Sequence, residues 1–139
     1  MCRTYIITSI FFGLFILPCK SQTINTVDSL DNECQACLDE GKFMLGCTIT
    51  FYNQMDSLLN KVYKKLRSSL DSSKRDGLIK EEKEWLRKRD KYFNQTRAKL
   101  EKVQKANGYL PQDDEMFMYE DNARFVKKRI LELIKRLNN

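Results

Sequence analysis

From Leu45 to Leu70 the apolar residues fall at Leu45, Ile49, Tyr52, Met55, Leu59, Val62, Leu66 and Leu70, always three or four apart. That spacing draws one stripe down a helix and does not fit the strict alternation of a half-buried strand. It predicts an amphipathic helix over 43–70, whose stripe must be covered by other elements of the chain.

The rest of the sequence supplies the partners. Two seven-residue ladders run side by side through a following helix, predicted over 73–106: Leu78, Trp85, Tyr92 and Ile79, Leu86, Phe93, Leu100. So wide an apolar face suits a helix held between two neighbours. Asp71-Ser72-Ser73 offers N-caps for it, with Asp76 three residues after Ser73 in the place of a capping-box acid. Asn107-Gly108-Tyr109-Leu110-Pro111 reads as a loop. Pro111 is expected at the first position of the last helix, followed by Asp113, Asp114 and Glu115 at the positive end of its dipole. Phe117, Ala123, Val126, Ile130, Leu133, Ile134 and Leu137 are expected on that helix's inner face. A shorter leading helix, predicted over 27–40, stops at Gly41 in the left-handed role. With no strand-like alternation, repeat or low-complexity tract, the expected fold is all-α: a small antiparallel bundle of three long helices plus a short N-terminal one.

Residues 1–21 read as a signal peptide, and residues 22–139 as one domain. Tyr5 to Leu17 is nearly pure apolar sequence, too short for a permanent membrane span and suited to the core of an export signal. Pro18 breaks it, and cleavage is expected after Ser21. An uncleaved anchor is a lesser alternative. Lipid attachment at Cys19 is another, disfavoured because Pro18 stands where such a signal takes a small residue. Export removes Arg3 and Lys20, leaving 23 basic against 19 acidic residues and a net charge of +4. The expected location is therefore periplasmic or secreted, with no membrane span in the mature chain and no nucleic acid as partner.

The chain has no histidine. That excludes Cys/His zinc sites, Ser–His and Cys–His nucleophile pairs and the commonest acid–base residue. No metal site or cofactor is expected. Three cysteines survive cleavage, Cys34, Cys37 and Cys47, which in an oxidising compartment make one disulfide and one free thiol. Cys34-Gln35-Ala36-Cys37 spells CxxC, but no βαβ pattern surrounds it to suggest a redox fold.

Asp56-x-x-Leu59-Asn60-x-x-Tyr63-x-x-Leu66, followed by Trp85-x-x-x-Arg89-Asp90, resembles the bacterial family named after the lysozyme inhibitor LprI. The resemblance runs from about Cys37 to Leu137 and includes the closing Arg129, Leu133 and Leu137. It implies a disulfide between Cys37 and Cys47; pairing of Cys34 with Cys47, or between chains, stays open beside it. Within the motif, Asp56, Asn60 and Tyr63 share a face at i, i+4 and i+7. Arg89, one turn after Trp85, is expected to meet Asp56 and the Asn60 amide beside the indole. The stronger reading of this set is a polar network that fixes the register of two helices; the weaker is a binding surface. The chain departs from the family in having Glu82 where a glutamine is usual three residues before the tryptophan. It also lacks a second cysteine pair, with Lys91-Tyr92-Phe93 and Met116-Phe117-Met118-Tyr119 in those places. Aromatic and methionine packing is the expected substitute.

The resemblance implies a non-catalytic exported protein that inhibits lysozyme. The segment expected to meet it is the loop at Asn107, Gly108 and Tyr109 with the acids Asp113, Asp114 and Glu115. The same acids also serve simply as favourable charges at a helix start. The alternative function is an envelope binding or structural module with another protein or cell-wall partner, and the basic cluster Lys61, Lys64, Lys65, Arg67, Lys74 and Arg75 belongs to that reading. Catalysis by Glu81, Glu82, Glu84 and Asp90 is disfavoured because they are expected on an exposed, charge-dense helix without a cleft.

Overall fold

The computed structural model describes residues 22–138. The signal segment and Cys19 lie outside the described residues. Four helices follow one another: α1 (Gln22–Asp39), α2 (Met44–Ser69), α3 (Ser72–Asn107) and α4 (Gln112–Asn138). The fold is all-α, with three long helices behind a shorter leading one.

The helix boundaries follow local chemistry. Gly41 takes φ +66° after α1, and its N–H donates to the Leu38 carbonyl at 2.9 Å. Glycine reaches that left-handed region without the Cβ clash other residues meet. Gly108 does the same after α3, at φ +76°, donating to Gln104 at 2.9 Å. α3 starts at the first of the three caps that the sequence offers. Its N-cap is Asp71, whose side chain accepts the Lys74 N–H at 2.9 Å, so the Ser73/Asp76 capping box does not form. Only Leu70 and Asp71 lie between α2 and α3. Pro111 sits just before α4, where its carbonyl accepts the Glu115 N–H at 3.3 Å, rather than as the first helical residue.

Because both connections are short, α2, α3 and α4 run alternately up and down, and α1 runs against α2. α2 and α4 pack most extensively; α1 and α3 flank that pair and do not approach each other. Met55, Leu59, Val62 and Leu66 of α2 meet Ala123, Val126, Ile130, Leu133 and Ile134 of α4 in one buried cluster, joined by Val27 of α1 and Leu78 of α3. Each large apolar side chain removed from water here contributes about 1.5–3 kcal/mol. The α2 face is wider than its predicted stripe, since Phe51 and Leu58 are buried as well. On α4 one expectation fails. Phe117 is 55% exposed and its neighbour Met116 is buried instead. The α3 ladders are only half-buried apart from Leu78, because α3 lies on the edge of the α2–α4 pair rather than within it.

Aromatic rings pack around the segments Lys91-Tyr92-Phe93 and Met116-Phe117-Met118-Tyr119. Tyr92 stacks on Phe125 at 4.7 Å between centroids, while Tyr52 meets Phe93 at 5.8 Å and Tyr119 at 6.0 Å. These contacts tie α2, α3 and α4 together near mid-length, with geometries that aromatic pairs favour.

Candidate functional site

Three groups of side chains stand out, one at an end of the bundle and two that adjoin at Trp85. The first is the end formed by the α1–α2 turn and the α3–α4 loop. Cys37 and Cys47 are joined there with a Cα–Cα distance of 5.9 Å, closing the turn around Gly41. Cys34 is a free thiol, half-buried, and burial pushes its pKa up, assisted by the nearby carboxylates of Glu120 and Asp31. Phe43, at the start of α2, holds φ +52° with its ring 88% exposed. The alternation of helix directions brings the α3–α4 loop to the same end. Tyr109 is 66% exposed there; Asp113 is exposed, and Asp114 and Glu115 are half-buried in the first turn of α4.

The second group is the motif around Trp85. Asn60 Nδ2 donates back along α2 to the Asp56 carbonyl at 3.0 Å and more weakly to its carboxylate at 3.4 Å. Arg89 does not reach Asp56 as expected. It donates to the adjacent Asp90 carboxylate at 2.8 and 3.0 Å, and its guanidinium lies 5.8 Å from the ring centres of Trp85 and Phe93. Tyr63 packs against the core cluster. What Asp56, Arg89 and Asp90 share is Tyr52, whose phenol pKa is raised by burial first and by those carboxylates next, against the opposing effect of Arg89. The set therefore acts on a half-buried tyrosine between helices instead of forming a direct Arg89–Asp56 bridge.

The third group escaped the sequence reading. Arg129 of α4 is only 4% exposed and donates to Glu82 at 2.8 and 3.2 Å, to Glu81 at 2.7 Å and to Glu132 at 3.2 Å. Glu82, expected on an exposed surface, is 8% exposed. Burying these charges is tolerable because each is paired and hydrogen-bonded. Burial works to raise the Glu81 pKa, but hydrogen bonds from Arg129 and Arg136 outweigh it and hold the carboxyl below its ordinary range. The signal was present in the periodicity: Arg129 lies between Val126 and Leu133 on the inner stripe of α4, and Glu82 one turn after Leu78 on α3.

Beside this network the α3–α4 seam opens into a groove of about 680 Å³. Its apolar wall is Trp85 and Phe125, 5.9 Å apart between ring centres, with the Arg129 guanidinium 5.9 Å from the indole. Among the described residues, no group of three Cys, Asp or Glu side chains is arranged to hold a metal ion, and no helix is long and apolar enough to cross a membrane.

No curated protein and no solved structure matches the chain. The family model described as Lysozyme inhibitor LprI matches residues 34–133, from the free thiol of α1 to the inner face of α4. The matched region takes in the disulfide, the Asp56–Tyr63 and Trp85–Asp90 motifs and buried Arg129. With well over half of its length matched, the chain belongs to the LprI lysozyme-inhibitor family.

Proposed function

We propose that this protein is exported and inhibits lysozyme by binding it, without catalysis of its own. The observation that carries the reading is the family match over residues 34–133. Processing after Ser21 and residence in the periplasm or outside the cell belong to the same proposal, supported by the apolar run from Tyr5 to Leu17. A non-catalytic role accords with the state of the carboxylates. Glu82 and Glu81 are held by Arg129, Glu81 also by Arg136, and Glu84 by Arg87, so none stands as a free acid or base.

Inhibition requires a surface that occupies the sugar-binding cleft. The end carrying exposed Phe43 and Tyr109 together with Asp113, Asp114 and Glu115 has the form for it: aromatic area on two short connections, one stapled by Cys37–Cys47. Little conformational entropy is lost when such a rigid end docks. Its acids complement a basic partner locally, although a net charge of +4 gives no long-range attraction.

The test is a lysis assay with the purified, oxidised protein titrated against a c-type lysozyme acting on peptidoglycan. Saturable inhibition near stoichiometric ratios supports the proposal. No inhibition at large excess, with helicity intact by circular dichroism, rejects it and leaves an envelope binding module. In the same assay D113N/D114N/E115Q is expected to weaken inhibition at least tenfold; unchanged potency would remove this end from the interface.

A further inference from the structure

The α3–α4 groove has a charge balance that its composition conceals. Three carboxylates and five cations line it. Each carboxylate is already committed to an arginine: Glu81 to Arg129 and Arg136, Glu84 to Arg87, and Glu132 to Arg129. Lys80, Lys88 and Lys128 remain, all exposed, and none makes an ion pair among the described residues. Lys88 is near enough to help Arg87 lower the Glu84 pKa, yet it does not close a pair. The groove therefore combines an aromatic wall with three ammonium groups that stand outside any ion pair, two from α3 and one from α4, and its lining carries a net charge of +2.

We infer that this groove binds a small anionic saccharide, one bearing a carboxylate or a phosphate. The volume of about 680 Å³ lies in the range of pockets for small molecules, below the long trough a helix or extended protein segment needs. Trp85 and Phe125 offer apolar ring surface against which the carbon face of a sugar packs. The arginine–glutamate pairs around them hold fixed donors and acceptors that suit hydroxyl groups, and the lysines meet the anion. The inference concerns a different face from the end proposed to meet lysozyme, so either can fail alone.

Trp85 is the single tryptophan of the chain, so its fluorescence reports on this groove directly. The purified protein is titrated with four probes: the N-acetylglucosamine–N-acetylmuramic acid disaccharide, N-acetylglucosamine 1-phosphate, neutral diacetylchitobiose, and an acidic peptide of matched charge. A saturable change with either acidic sugar, at least tenfold weaker with chitobiose and weakened by added salt, is the expected result. Which acidic probe responds distinguishes carboxylate from phosphate. K80Q/K88Q/K128Q, at exposed positions, is expected to lose affinity at least tenfold, while K61Q/K64Q/R67Q on α2 retains it. Absence of a saturable response at millimolar probe, an equal response to chitobiose, equal losses in both triple variants, or a response only to an acidic peptide of matched charge would each overturn the inference.

Discussion

Arg129 and Glu82 are the charged side chains on which the α3–α4 contact turns, and their effects on stability follow from desolvation. Glu82→Ala leaves a buried guanidinium with Glu81 and Glu132 as its remaining partners, so a loss of about 3 kcal/mol is expected in urea unfolding followed by circular dichroism. Replacing both residues, as E82L/R129M, is expected to be less damaging than the single change, because no unpaired charge then stays inside. A double variant less stable than E82A would show that the pair itself, and not the avoidance of an orphan charge, stabilises the bundle. At Cys34, burial and two nearby carboxylates raise the thiol pKa. The native protein is thus expected to react with iodoacetamide at pH 8 more slowly than free cysteine, and the difference should vanish on unfolding. The position of these two charges inside apolar stripes was visible in the sequence. Their mutual pairing was not, since nothing local aligns residue 82 with residue 129.

The turn between α1 and α2 has two opposing features, a stabilising staple and a strained aromatic. The disulfide closes a sequence separation of ten residues, and C37A/C47A is expected to lose about 2–3 kcal/mol by the chain-entropy estimate. Phe43 in the left-handed region is unfavourable by about 1–2 kcal/mol for a residue with a Cβ, and its exposed ring recovers little by packing. Phe43→Gly is accordingly expected to raise stability by up to about 1 kcal/mol in the same unfolding measurement; a comparable loss would mean that the ring packs in solution. α3 is the longest helix and the least buried of the three long ones, with Thr96 its last buried residue. Hydrogen exchange is expected to be fastest, among helical amides away from the chain ends, in 97–107, and slowest in 51–66, where the α2 core residues cluster. Its end is capped by Gly108, which the sequence placed only within a loop; of the N-caps the sequence offered, Asp71 rather than Ser73 takes the role, because its side chain lies where it can accept the Lys74 N–H.

Acid sensitivity belongs to the molecule as a whole. Glu81 is held below its ordinary value of 4.5, and Asp71, receiving the Lys74 backbone N–H, below its ordinary 3.8. A carboxyl depressed on folding stabilises the native state fully above its unfolded pKa and loses that contribution as pH falls through the folded value. The thermal midpoint is therefore expected to be flat from neutrality to about pH 5 and to fall below it, less steeply in Glu81→Gln. The class of fold could be read from spacing alone, because the three-and-four rhythm of α2 and α4 obliges helices to bury a common face, and the glycines at 41 and 108 end helices through backbone sterics that need no partner. The family was legible in its motif residues, and the resemblance implied the Cys37–Cys47 pairing, which the residues alone left open beside Cys34–Cys47. Which helices lie centrally did not follow. α3 carries aromatic and aliphatic residues along most of its length, yet it is a flanking helix, since burial depends on how faces of different width fit together. For the same reason Phe117 faces solvent while Met116 is covered, and Arg89 turns to Asp90 rather than Asp56. Periodicity assigns a residue to a side of its own helix; its depth and its partner are set by the rotation and register of another.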